Sequence, residues 1–182
     1  MKFSFPKKIM SFVFIIFSSF LFFLVSIYPY FAVTSAYNLN GKMSLDGTFY
    51  LKEMRPEDHR AIEYLNKNVK GQPIILEAQG DSYTDYGRIS VNTGLPTVLG
   101  WTVHEWLWRG SYDIPAGRFD DIKNLYESNN LSLTQKIINK YNISFVYIGG
   151  LEKEKYKVYE NKFKILGEPI YTDKNTKIYK IN

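Results

Sequence analysis

Apolar positions along the chain form one long uninterrupted block near the start and shorter, periodic groups after it. Residues 9 to 33, IMSFVFIIFSSFLFFLVSIYPYFAV, contain no charged side chain. A bilayer core of about 30 Å needs roughly 20 such residues as helix, so this block predicts a transmembrane helix within a first part, 1–36. Residues 37–55 show little periodicity and predict a juxtamembrane connection, and 56–182 predict a folded domain. At 56–69, PEDHRAIEYLNKNV, Pro56 suits a first helical turn, Glu57 and Asp58 suit its positive dipole end, and Ile62, Leu65 and Val69 recur at helical spacing. Gly71 then ends the helix. PIILEA (73–78) and PTVLG (96–100) are short apolar runs that predict buried strands, with a short helix possible over 82–94. The segments 118–128 and 133–142 predict helices, ISFVYIGG (143–150) a buried strand, and 151–163 a charged helix. Two final runs joined by TDKNT predict a C-terminal antiparallel β-hairpin. Strands alternating with helices give an α/β fold: one N-terminal transmembrane helix followed by a small α/β sandwich with a partly parallel sheet.

Charge sets the orientation. Lys7 and Lys8 stand directly before the apolar block, and 1–36 holds no acidic residue. The positive-inside tendency then keeps the N-terminus cytoplasmic and exports the rest, as a single-pass protein of the plasma membrane. Tyr28, Tyr30 and Tyr37 fall where an aromatic belt would lie. A cleaved signal peptide is the rival, with TSA at 34–36 as a small-residue stretch, although the block exceeds the usual apolar region of about 7–15 residues. Both readings deliver 37–182 to the same side. The formal net charge of +5 shrinks once Lys2, Lys7 and Lys8 are set apart, because the remainder carries 20 basic and 18 acidic side chains. Nothing in that balance calls for nucleic acid. The chain has no cysteine, hence no disulfide scaffold and no thiol chemistry.

The most unusual stretch is VHEWLWRG (103–110). It begins as the zinc-protease signature does, with His104 and Glu105, but the second histidine position holds Trp108, and an indole cannot ligate. His59 is the one other histidine, so neither a metal nor another cofactor is expected. In sheets of this kind ligands gather beyond the carboxyl ends of the strands. That rule selects the loops EAQGDSYTDYGR, GWTVHEWLWRGSYDIPAGR and GGLEKEKY. Trp101, Trp106 and Trp108 all lie in the second, beside His104, Glu105, Arg109 and Arg118. Trp and Arg beside carboxylates and a histidine suit a surface that stacks on a sugar or lipid head group and hydrogen-bonds its polar groups. The bland alternative is that the tryptophans fill the core, the expectation for Trp101, or pack on the membrane surface. Likewise Arg88, Arg109 and Arg118 would form structural ion pairs with Glu77, Asp81, Glu105 or Asp113. His104 and Glu105 as acid and base would make a hydrolase, although no G-x-S-x-G elbow and no phosphate-binding glycine motif is present.

Several runs together carry a resemblance: LDGTFYL after the membrane helix, D-x-x-A-I-x-Y-L-N, P-I-I-L-E-A-x-G-x-S-Y-T-x-Y-G-R-I-S-x-x-T-G-L-P-T-V-L-G-W-x-x-H-E-x-x-W-R-G, R-x-x-D-I-x-x-L-Y, and K-Y-N-I-S-F-V-Y-I-G-x-L-E. Over most of 45–180, and most densely over 74–110, the chain resembles the C-terminal part of the YYY family. These are polytopic membrane proteins related in architecture to the C-type glycosyltransferases that use lipid-linked sugars. The resemblance implies a fragment, a split gene or a stand-alone derivative of the terminal domain that does not catalyse glycosyl transfer alone, since the family's catalytic carboxylates lie in earlier loops. It carries over a candidate ligand or docking surface at Glu77, Tyr83, Tyr86, Arg88, Trp101, His104, Glu105, Trp108 and Arg109, to which the loop reading adds Arg118. Its implied partners are the lipid bilayer, a polytopic membrane protein and a lipid-linked sugar or glycan. A non-catalytic interaction module and an independent hydrolase using His104 and Glu105 remain the other two expectations.

Overall fold

The structure is a computed structural model that describes residues 6–36 and 46–182. Lys2 and residues 37–45 of the expected connection, Tyr37 among them, lie outside the described residues. The chain divides into two units, 1–46 and 47–182. In the first, α1 (Lys7–Ala36) is long and apolar enough to cross a membrane, the pattern of an anchor or a signal sequence. Two of its hydroxyls turn back onto the helix: Ser26 Oγ donates to the Phe22 carbonyl at 2.8 Å and Thr34 Oγ1 to the Tyr30 carbonyl at 2.9 Å. Such back-bonding satisfies hydroxyls that lipid cannot.

In the second unit, a four-stranded sheet of order β1-β2-β4-β3 carries helices on both faces. β1 (Ile74–Leu76) runs parallel to β2 (Ile143–Ile148), and β4 (Thr176–Ile181) pairs antiparallel with both β2 and β3 (Gly167–Asp173). The partly parallel sheet and the C-terminal hairpin are thus both present. Alternation along β2 divides the core. Val146 and Ile148 face a cluster with Ile122, Leu125 and Tyr126 of α6 (Asp113–Glu127) and Ile137 and Ile138 of α7 (Leu131–Tyr141). Phe145 and Tyr147 face Ala61, Ile62 and Leu65 of α3 (Pro56–Asn68) and Leu51 of α2 (Phe49–Met54). The compact unit therefore begins before Pro56, with a short helix inside the expected connection whose Leu51 is fully buried.

Three elements depart from the periodicity. PTVLG forms no strand of its own: Thr97 makes a single parallel bridge to Ile75, whose N–H reaches the Pro96 carbonyl at 2.9 Å. The expected helix over 151–163 is two short ones, α8 (Gly150–Lys155) and α9 (Asn161–Leu166), because buried Tyr156 leaves the helix to stack on Tyr126 at 4.9 Å. The segment expected as a tryptophan-rich loop is itself a helix, α5 (Thr102–Arg109), closed by Gly110 in the left-handed conformation at φ 75°. Between β1 and α5 lies α4 (Arg88–Thr93).

Candidate functional site

The site starts from a layer of buried charge beneath the carboxyl ends of β1 and β2. Arg88, at the start of α4, places its guanidinium in the interior with only 2% of the residue exposed. It donates through Nη1 and Nη2 to Glu152 at 3.2 and 3.0 Å and through Nε to Asp58. Glu152 also accepts from the backbone N–H of Ala78 at 3.0 Å and of Gly149 at 2.9 Å, and Asp58 accepts the Tyr147 hydroxyl. Burial, and the Arg88 charge against it, leave the Tyr147 phenol well above its ordinary value. Glu77 closes the layer by accepting from Ile89 N–H at 2.8 Å and Ser90 N–H at 2.9 Å. Burial pushes its carboxyl up while the Ser90 and Ile89 bonds pull it back. Four ionic side chains are thus satisfied internally, as buried charge requires. Glu77 and Arg88 lie under the surface and support it rather than form it.

Above this layer Gln79, also buried, donates from Nε2 to Thr102 Oγ1 at 2.7 Å and so fixes the first residue of α5 to the end of β1. Lys155 Nζ donates to Gln79 Oε1 at 3.0 Å and sits 4.8 Å from the centre of the Tyr86 ring. Partial burial lowers the Lys155 ammonium below the usual lysine value. Tyr86 lies against Gly80, where an added Cβ would stand 2.2 Å from the ring. Gly80→Ala should therefore cost about 1–3 kcal/mol through overpacking. Gly117→Ala, in the interior of α6 with nothing within 4 Å, should instead stabilise by roughly 0.5–1 kcal/mol. Thermal unfolding of the two variants reads the opposite signs directly.

The surface itself is aromatic. Residues three and four apart on a helix share a face, so His104 and Trp108 lie together on α5, with ring centres 6.0 Å apart. Trp101, just before the helix, sits 5.4 Å from His104 and donates its indole N–H to the Tyr86 carbonyl at 3.0 Å. Trp101 is therefore half-buried in this cluster and not a core residue. Tyr83, held at φ 62°, packs 5.3 Å from Trp101 and 5.4 Å from His104. Ser82 Oγ lies 3.1 Å from His104 Nδ1. Tyr83 and Trp108 are the most open members, Trp108 with 85% exposed.

The charged members divide. Arg109 Nε donates to Glu105 Oε2 at 2.5 Å, so this pair closes on itself along α5, with both partners reaching solvent. Glu105 thus faces Arg109 and not His104, as expected for adjacent positions on a helix. Arg118 donates to the Val98 carbonyl at 2.6 Å and lies over the Tyr141 ring, a structural bond away from the aromatic cluster. Among the described residues no group of three His, Cys, Asp or Glu side chains is placed to hold a metal. Sequence reasoning passed over Ser82, Gln79, Thr102 and Lys155, which position the surface, and Asp58 and Glu152, which neutralise Arg88.

No protein-family model matches the chain, and no curated protein matches it. Among solved structures it is similar to the C-terminal globular domain of an oligosaccharyltransferase from Archaeoglobus fulgidus. The two share 13% identity with a TM-score of 0.45, over 78% of this chain and 100% of that one.

Proposed function

We propose that the chain is a membrane-anchored recognition domain of a glycosyltransferase-like membrane system, displayed on the extracytoplasmic side and not catalytic alone. Its α5 surface holds the saccharide of a lipid-linked donor or of a glycan acceptor, and a polytopic part supplies the chemistry. One observation carries the reading: Tyr83, Trp101, His104 and Trp108 form an open aromatic cluster with Ser82 and the Glu105–Arg109 pair around it. Aromatic faces stack on the apolar side of a sugar ring, and the polar rim can hydrogen-bond its hydroxyls. The resemblance of 74–110 to the YYY family supports a glycosyltransferase-like context for these residues, and α1 is long enough to serve as an anchor.

A lipid-linked saccharide titrated onto the detergent-solubilised full chain tests this. Trp108→Ala should weaken binding by about tenfold or more, as for an exposed aromatic anchor. Arg109→Ala should weaken it less, and both should leave the unfolding temperature in place. Loss of binding together with loss of fold, or no binding by the parent chain, would remove the reading. A docking module without a small-molecule ligand is the rival favoured by the openness of Trp108; it predicts capture of a polytopic protein with no response to saccharide. Hydrolysis by His104 and Glu105 has less support, because Glu105 is committed to Arg109.

A further inference from the structure

A second face of α5 is left over from the aromatic cluster. Val103, Trp106 and Leu107 are related by three and four positions, so they share a face distinct from that of His104 and Trp108. Their exposures are 44%, 43% and 64%, and the Trp106 ring meets the exposed Tyr112 ring at 5.8 Å, edge to face. Thr102 takes the buried side of the helix. The result is an exposed ridge of two aliphatic and two amphipathic aromatic side chains beside the aromatic cluster. Apolar groups of this size stay open to water mainly where something covers them.

The covering surface follows from where the chain enters the domain. Residues 37 to 46 join α1 to the second unit, and a chain of ten residues reaches at most about 35 Å. With α1 in a bilayer, the point where the chain enters the domain stays within that reach of the lipid. The entry point is fastened to the aromatic end: Arg55, at the end of α2, pairs with Asp85 at 3.1 Å, and Asp85 lies on the same loop as Tyr83, two residues away. Tyr83 in turn packs on Trp101 and His104 at the start of α5. The chain therefore enters the domain at the end that carries α5. Trp and Tyr with Val and Leu are the residues that settle in the head-group layer, burying an apolar body while a ring N–H or O–H stays wet.

We infer that the Val103, Trp106, Leu107 and Tyr112 ridge rests in the interfacial layer of the bilayer. This would orient the domain and present the neighbouring His104 and Trp108 face at head-group height. The inference rests on the anchored-domain reading above. All three tryptophans of the chain lie within 101–108 and none in α1, so tryptophan emission reports this end of the domain alone.

The test places the full chain in nanodiscs of phosphatidylcholine and phosphatidylglycerol, with a share of the phosphatidylcholine brominated along its acyl chains. Emission should be quenched more by bromine near the glycerol end than by bromine deep in the chain. A Trp101→Phe, Trp108→Phe variant, which keeps Trp106, should retain most of the effect. Leu107→Glu and Val103→Glu, both at exposed positions, should abolish it with an unchanged near-ultraviolet circular dichroism spectrum. Emission that is unquenched by brominated lipid yet quenched by iodide, in a chain that floats with the lipid and keeps its near-ultraviolet spectrum, overturns the inference alone. A chain that fails to float with lipid overturns the anchored reading beneath it.

Discussion

Replacing Arg88 with methionine should destabilise the domain by about 3–5 kcal/mol, the usual consequence of stripping one partner from a buried ion pair. Arg88 is the only cation bonded to the side chains of Asp58 and Glu152 among the described residues, and both carboxylates are almost fully enclosed. Without it they must stay charged in a low-dielectric interior or take up protons. Native domains hold only about 5–15 kcal/mol in all, so the variant should unfold at far lower urea concentration and become acid-stabilised relative to the parent. Arg88→Lys keeps one charge but cannot span Glu152 in two parallel bonds, and it should lose part of the stability. A methionine variant with parental urea midpoint would show that the pairing contributes little. The same substitution should disorder the aromatic surface, because Glu152 also holds Ala78 and Gly149, which fix the ends of both parallel strands.

The second large effect is alkaline. Tyr126, Tyr147, Tyr156 and Tyr179 are all raised above the ordinary tyrosine value, in each case chiefly by burial that disfavours the phenolate. A raised folded-state value means that the stabilisation is complete below about pH 10, where unfolded tyrosines ionise, and is lost as pH climbs beyond it. Lys162 works with the opposite sign. Burial against the Asn124 and Ser128 carbonyls at the end of α6 lowers its ammonium to about 8. Its unfavourable contribution is therefore full below about pH 8 and is relieved as pH rises to the unfolded value near 10.4. Stability should rise gently between these limits and fall steeply above them. Urea midpoints across pH 7 to 11 would show a shallow maximum, and Lys162→Met should flatten the rise while leaving the fall. A flat profile beyond pH 10 would mean that the tyrosines are far more hydrated than their packing indicates.

The parts legible in the sequence were those where local period and burial agree. Ile62 and Leu65 mark α3, the apolar run after Asn142 marks β2, and the two runs around TDKNT form β3 and β4. The parts that were not legible depend on partners distant along the chain. Asp58 reads locally as a residue that suits a helix N-terminus, yet its carboxylate is taken by Arg88 and Tyr147, which lie 30 and 89 positions away. Arg88 finds Glu152 across 64 positions, and no local spacing encodes that pairing. α5 was hidden for another reason: its first residue is fixed by Gln79 and not by a local polar cap, so its only local signals were the spacing of Val103, Trp106 and Leu107 and the stop at Gly110. The candidate surface divided accordingly. Tyr83, Trp101, His104 and Trp108 come together, Glu105 and Arg109 border them, Tyr86 lies beneath, and Glu77, Arg88 and Arg118 serve the fold.

In the proposed function the Trp108 side of α5 meets a saccharide-bearing or polytopic partner outside the cytoplasm. Photo-crosslinking from a benzophenone side chain in place of Trp108, in the membranes of the native cell, tests it most directly. The expected result is an adduct carrying a lipid-linked saccharide or a polytopic membrane protein, lost when the benzophenone is moved to exposed Ile165 on α9. A folded chain that yields no adduct from position 108, or only adducts with cytoplasmic proteins, would contradict it.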